Sequence, residues 1–154
     1  MLTIEEINEI EAEAAKYPRR EAVCIDALRI VQRRRGWVSD ENVRDIAALI
    51  GVSAADVDSV ATFYNLIFRK PVGRHMIMLC DSVSCWIMGH DRIYQHLRDR
   101  LGINTGDTTV DNRFTLIPNV CLGCCDRAPA MMIDDDLHTN LEPQKVDAVL
   151  GKYR

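Results

Sequence analysis

Three cysteines, Cys121, Cys124 and Cys125, crowd the stretch VCLGCCDRAP, and two more, Cys80 and Cys85, frame DSVS earlier in the chain. Thiolates are soft, strong donors, and four of them converging on one site suit zinc or an iron–sulfur cluster. Structural zinc favours C-x2-C knuckles, and only Cys121 to Cys124 has that spacing. A dithiol redox pair built from Cys121 and Cys124 would leave Cys80 and Cys85 without a role. Six unrelated buried thiols would not cluster in this way. The C-x4-C separation of Cys80 and Cys85 suits two irons bridged by sulfide, which span more space than one ion, so spacing favours a [2Fe–2S] cluster. Spacing does not choose between Cys124 and Cys125. Adjacent side chains diverge, so one alone should face the cluster.

The elements around these thiols must bring them together. HMIMLC reads as a short strand ending at Cys80, and RFTLIPNV as a second, with Pro118 placing its end near a sheet edge. If the two strands are neighbours, both cysteine groups leave the sheet at one edge, where loop amides are free to bond a charged group. Gly123, without a Cβ, lets the backbone turn close around a cluster sulfur. Between the strands, residues 86–101 read as one helix with Ile93, Leu97 and Leu101 on a face and Gly102 as its stop. AMMID reads as a third strand, and PQKVDAVLGKY as a closing helix with Pro143 in its first turn. Strand, helix, strand, strand, helix describes a small α/β layer. Asp111-Asn112 marks a tight turn in which Asn112 is expected to take positive φ.

The first seventy residues have a different grammar, helix after helix. Residues 3–16 form an acidic amphipathic segment; RREAVCIDALRIVQRRRG follows and stops at Gly36. Ser39 or Asp40 caps a third helix that closes at Gly51, and SAAD has capping-box spacing for a fourth. Cys24 lies on an apolar stripe and reads as a small buried hydrophobe. Punctuation by Pro71 and Gly73 places a boundary, giving a helical bundle over 1–72 and an α/β domain over 73–154.

Composition narrows the function. The 154 residues are 47% hydrophobic and 27% charged, with a formal net charge of −4 and a pI near 5.5. That balance argues against a nucleic-acid partner, which favours a concentrated basic face. The one basic run, Arg33-Arg34-Arg35, sits where cations favour the carbonyl end of a helix dipole. No apolar stretch is long enough to span a bilayer, and the acidic start MLTIEEINEIEAEAAKY is unlike a secretory signal. The expected setting is a reducing cytoplasm, where clustered cysteines mean metal or redox chemistry more often than disulfides. No G-x-G-x-x-G fingerprint or phosphate loop is present, so no nucleotide cofactor is expected to bind this chain alone. His75, His90, His96 and His138 fit no ligand spacing and read as solvated or packing residues.

CDSVSC, GINTGDTTVDNRFTL, CLGCCDRAPAMMID and HTNLEPQKVDAVL, in this order, resemble the thioredoxin-like [2Fe–2S] ferredoxins. Within that family the resemblance is to the small subunit of the NADH-oxidising module of bacterial complex I. GWVSDENV, VDSVATFYNLIF and KPVGR extend it over essentially the whole chain. It implies an α/β (α+β) fold: an N-terminal helical bundle over 1–72, then a thioredoxin-like [2Fe–2S] ferredoxin domain over 73–154. It implies one [2Fe–2S] cluster on Cys80, Cys85, Cys121 and Cys125, with Cys124 at a variable position and given to packing. Glu142 departs from the Thr that often caps the last helix in the family. The implied function is one-electron transfer from the reduced flavin of a partner subunit that binds FMN and NADH. The implied setting is NADH:quinone oxidoreductase (complex I), cytoplasmic and peripheral to the inner membrane, among other peripheral-arm subunits and without membrane insertion. The same module in an NAD-linked hydrogenase or formate dehydrogenase is the nearest alternative; a zinc-stabilised interaction module is another.

Overall fold

Three helices near the N-terminus begin where a side chain can satisfy their free amides. A computed structural model describes residues 1–154, which divide into two compact units, Met1–Pro71 and Val72–Arg154. In the first, α1 (Ile4–Ala14), α3 (Asp40–Ile50) and α4 (Ala54–Phe63) start on the capping boxes Thr3/Glu6, Ser39/Asn42 and Ser53/Asp56. A single 3-10 turn over Arg20–Val23 precedes α2 (Cys24–Arg35), which Gly36 ends in the left-handed conformation. Ile10, Leu28, Val31, Ile46 and Val57 meet in the core of this unit, and Cys24 packs with them. The basic run does more than complement a dipole. Arg34 bonds Glu9 at 3.0 Å and Arg35 bonds the buried Glu6 at 2.6 Å, tying the end of α2 to α1.

The second unit is a four-stranded sheet in the order β2-β1-β3-β4, with β1 His75–Cys80, β2 Phe114–Asn119, β3 Met131–Ile133 and β4 Asp136–His138. β1 and β2 are parallel, and β3 runs antiparallel to both β1 and β4. Alternation sends Ile77, Leu79, Phe114, Leu116, Met131 and Ile133 into one core with Ile93 and Leu97 of α6 (His90–Leu101) and Val146 and Val149 of α7 (Pro143–Leu150). β2 is an edge strand, so Pro118 leaves no central ladder bond unmade.

Two points of the sequence reading change in detail, and the weak cap at Glu142 stands. The helix expected over 86–101 is broken: α5 (Val83–Ile87) ends at Met88, and Gly89, at φ 108°, starts α6. The interruption puts Cys85 on a short helix of its own rather than in a loop. β4 went unread because three consecutive aspartates, Asp134 to Asp136, look like loop. They instead make a hairpin in which Asp134 takes φ 53° and accepts the Met76 amide at 2.8 Å. Glu142 caps α7 without a side-chain hydrogen bond, and Pro143 occupies the first turn.

Candidate metal centre

Parallel register decides where the thiols meet. Cys80, the last residue of β1, lies opposite Asn119, the last residue of β2, so the segments carrying Cys85 and Cys121 leave from the same edge. Cys80 and Cys85 are buried together in one apolar cluster. Burial first, then the neighbouring Cys80 side chain, pushes the Cys85 thiol up to about 11, against the pull of an Ala130 amide on its sulfur. A metal binding here must displace that proton, which couples metal affinity to pH.

Beyond β2 the chain turns at Gly123, φ 74°, whose amide donates to the Cys121 sulfur at 3.4 Å. A Cβ at Gly123 would meet nothing, so the glycine is required by its left-handed backbone and not by space. A single 3-10 turn over Cys125–Arg127 then returns Cys125 to within 3.8 Å of Cys121, sulfur to sulfur. Both are exposed. Cys124 goes the other way. It is 5% exposed, packed in one apolar cluster with Cys80, Cys85, Ala128 and Ala130, and burial pushes its thiol up.

The sulfurs therefore stand as two pairs, one buried and one exposed, with Cys124 among the apolar residues under the buried pair. No three His, Cys, Asp or Glu side chains close on a single-ion site. Two thiolates on one tetrahedral metal, with bonds of about 2.3 Å, lie about 3.8 Å apart. The Cys121–Cys125 pair has that bite. A donor set of two thiol pairs suits a two-metal cluster with two thiolates on each metal. The one C-x2-C pair, Cys121 and Cys124, is split between surface and interior, contrary to a zinc knuckle.

The histidines are hydrogen-bonded and none contacts a thiol: His75 to Asp134 at 2.7 Å, His96 to Asp147 at 3.1 Å and His138 to Tyr153 at 3.0 Å. His90 is closest to the chemistry, bonded to the Cys80 carbonyl at 2.9 Å. Sequence reasoning found neither this contact nor the Ala130 amide, since both depend on how strand ends and loops meet in space.

The family model for the thioredoxin-like [2Fe–2S] ferredoxin matches residues 10–154. The chain belongs to that family. This ferredoxin is 48% identical over 153 residues to a subunit of the NADH-quinone oxidoreductase of Pseudomonas aeruginosa, covering 99% of this chain and 92% of the relative. The corresponding subunit of Escherichia coli matches at the same identity and coverage. Among solved structures, the ferredoxin resembles NAD+-reducing [NiFe]-hydrogenase in the air-oxidized state, with a TM-score of 0.63 and 25% identity over 73% of this chain, though only 20% of that one. The H2-reduced state of a hydrogenase of the same description shares the fold, with a TM-score of 0.67 at 24% identity, over 81% of this chain and 21% of that one.

Proposed function

We propose that this chain is an electron-transfer subunit of NADH:quinone oxidoreductase (complex I), holding one [2Fe–2S] cluster on Cys80, Cys85, Cys121 and Cys125. The observation that carries the reading is the emergence of two thiol pairs from one sheet edge, in a chain 48% identical along nearly its whole length to a subunit of that enzyme. The cluster supplies a site that takes up and releases one electron. The four thiolates offset the charge of the irons, and the Gly123 and Ala130 amides, by donating to sulfur, favour the more negative, reduced form. Cys80 and Cys85 keep one side of the site dry, while Cys121 and Cys125 face outward, where an electron can arrive.

The electron source in this reading is the flavin of a partner subunit that binds FMN and NADH. Beside the thiols, α5 presents Val83, Trp86 and Ile87, followed by Met88, all 60% exposed or more. Val120, next to Cys121, is exposed as well. An apolar face continuous with a redox edge suits the flavin-bearing subunit, because docking there brings flavin and thiols within tunnelling reach. No single helix is long and apolar enough to cross a membrane. The proposed location is cytoplasmic and peripheral to the inner membrane, with the other peripheral-arm subunits.

The hydrogenase likeness favours a second reading, the same module in an NAD-linked hydrogenase. Identity of 48% against 25% places complex I first. The deciding experiment is absorbance and reduced-state EPR of the purified chain, with iron and sulfide assays. A red-brown protein that bleaches on reduction and carries iron and sulfide in equal amount is the expected result; a colourless zinc protein would overturn the proposal. Co-purification from the native cell with a flavoprotein that passes electrons to quinone, and not to a hydrogenase, separates the two settings.

A further inference from the structure

His90 is the first residue of α6, and its Nδ1 lies 2.9 Å from the carbonyl oxygen of Cys80. A carbonyl only accepts, so Nδ1 carries the proton and the tautomer is assigned by the contact. The imidazole is half-buried and stacks on Tyr94, one helical turn on, with centroids 6.0 Å apart and planes 10° from parallel. The Arg98 guanidinium in turn lies 5.7 Å from the Tyr94 ring centre. The donor is thus fixed by a pinned stack along α6. Its acceptor belongs to the last residue of β1, a proposed cluster ligand.

We propose that His90 is a positioning residue for Cys80, an inference that rests on the cluster reading above. By donating to the Cys80 carbonyl it holds the peptide plane from which the Cys80 sulfur projects, at the point where the β1 ladder ends. It also turns the positive end of an N–H dipole toward the ligand's backbone, offsetting the carbonyl's negative end beside the cluster. That dipole favours the reduced, more negative form.

The test is a potential-poised EPR titration of the cluster-loaded full chain, comparing wild type with His90→Phe and His90→Asn. Phenylalanine keeps a ring for the Tyr94 stack, beside a cavity of about 290 Å3 lined by Asp81, Tyr94 and Thr105, but donates nothing. The asparagine amide nitrogen can stand where Nδ1 stood. The ratio of reduced to oxidised cluster at a fixed ambient potential should fall roughly threefold to tenfold in His90→Phe, the weight of one hydrogen bond, and return toward wild type in His90→Asn. If His90→Phe fails to hold the cluster while His90→Asn holds it, the same role is supported. No shift in His90→Phe, an equal shift in both variants, or loss of the cluster from both would overturn it. A wild-type chain with no reducible iron signal would instead refute the cluster reading, and this inference with it.

Discussion

The sulfurs of Cys121 and Cys125 lie 3.8 Å apart on the surface, while Cys124, chemically identical and between them in sequence, is buried beside Cys80 and Cys85. Replacing Cys80, Cys85, Cys121 or Cys125 with Ala removes a thiolate from one of the two pairs and should lower iron content sharply. Cys124→Ala and Cys24→Ala remove only buried atoms, at a cost of about 1 kcal/mol each. Both should keep the visible spectrum and the reduced-state EPR signal. Iron per chain across the six variants is the measurement; a cluster lost in Cys124→Ala and kept in Cys125→Ala would reverse the assignment.

Glu6 is 1% exposed and accepts from Arg35 and from the Thr3 amide. The Arg35 guanidinium, helped by that amide, holds the Glu6 carboxyl below the usual glutamate range, although burial opposes it. A depressed folded value adds stability that is complete above the unfolded value of about 4.3 and is lost as pH falls through the folded one. Glu6→Gln should therefore cost about 1.5–3 kcal/mol at pH 7 and less at pH 3. Urea unfolding at both pH values checks this, and a difference from wild type that does not shrink on acidification would exclude the linkage.

Asn112 takes φ 54° in the turn before β2, where its carbonyl accepts the Arg74 amide at 3.0 Å. Asparagine tolerates this region, whereas a β-branched residue does not. Asn112→Val should destabilise the unit by about 1–3 kcal/mol and lower cluster yield indirectly, with Asn112→Gly close to neutral. Thermal melts of the two variants decide it, since equal loss in both would point to the side chain and not the backbone.

Gly73 is constrained by space. A Cβ there would come within 2.9 Å of the Phe114 backbone, and the Gly73 amide already donates to Thr115 Oγ1 at 2.7 Å. Gly73→Ala must push the segment away from β2 and should cost about 2 kcal/mol or more. Hydrogen exchange should show the β2 amides opening faster than in wild type; unchanged protection would argue that the segment moves freely.

Trp86 and Ile87 are exposed on α5 without being needed for the cores of either unit. Trp86→Glu with Ile87→Glu should leave cluster content and the EPR signal unchanged while weakening binding to the flavin-bearing subunit at least about tenfold, as loss of an aromatic anchor does. Pull-down against the flavoprotein measures this. Wild-type affinity in the double variant would place the interface elsewhere.

Local grammar was legible in the sequence. Ser39 and Ser53 begin helices, and Gly36, Gly51 and Gly102 end them, because caps act through residues a few positions away. Asn112 and Pro143 could be placed for the same reason. The cysteine spacing and the family motifs named the chemistry before any coordinate. Where sequence reading failed, the deciding contact lay outside the segment. A helix unbroken from 86 to 101 satisfies every local preference except at Gly89, and β4 follows a turn in which Asp134 accepts the Met76 amide across the sheet.

The sequence by itself determined that two cysteine groups follow two strands, and left Cys124 and Cys125 equally open as the partner of Cys121. Only the tertiary structure decided that the strands are parallel neighbours, with Cys80 facing Asn119, and so that the groups leave the sheet at one edge. It also separated the adjacent thiols. The left-handed turn at Gly123 and the 3-10 turn after it send one sulfur inward and one outward, and which becomes which depends on the apolar floor of Ala128 and Ala130. Spacing counts residues along a chain. Burial is fixed by what the rest of the fold packs against them.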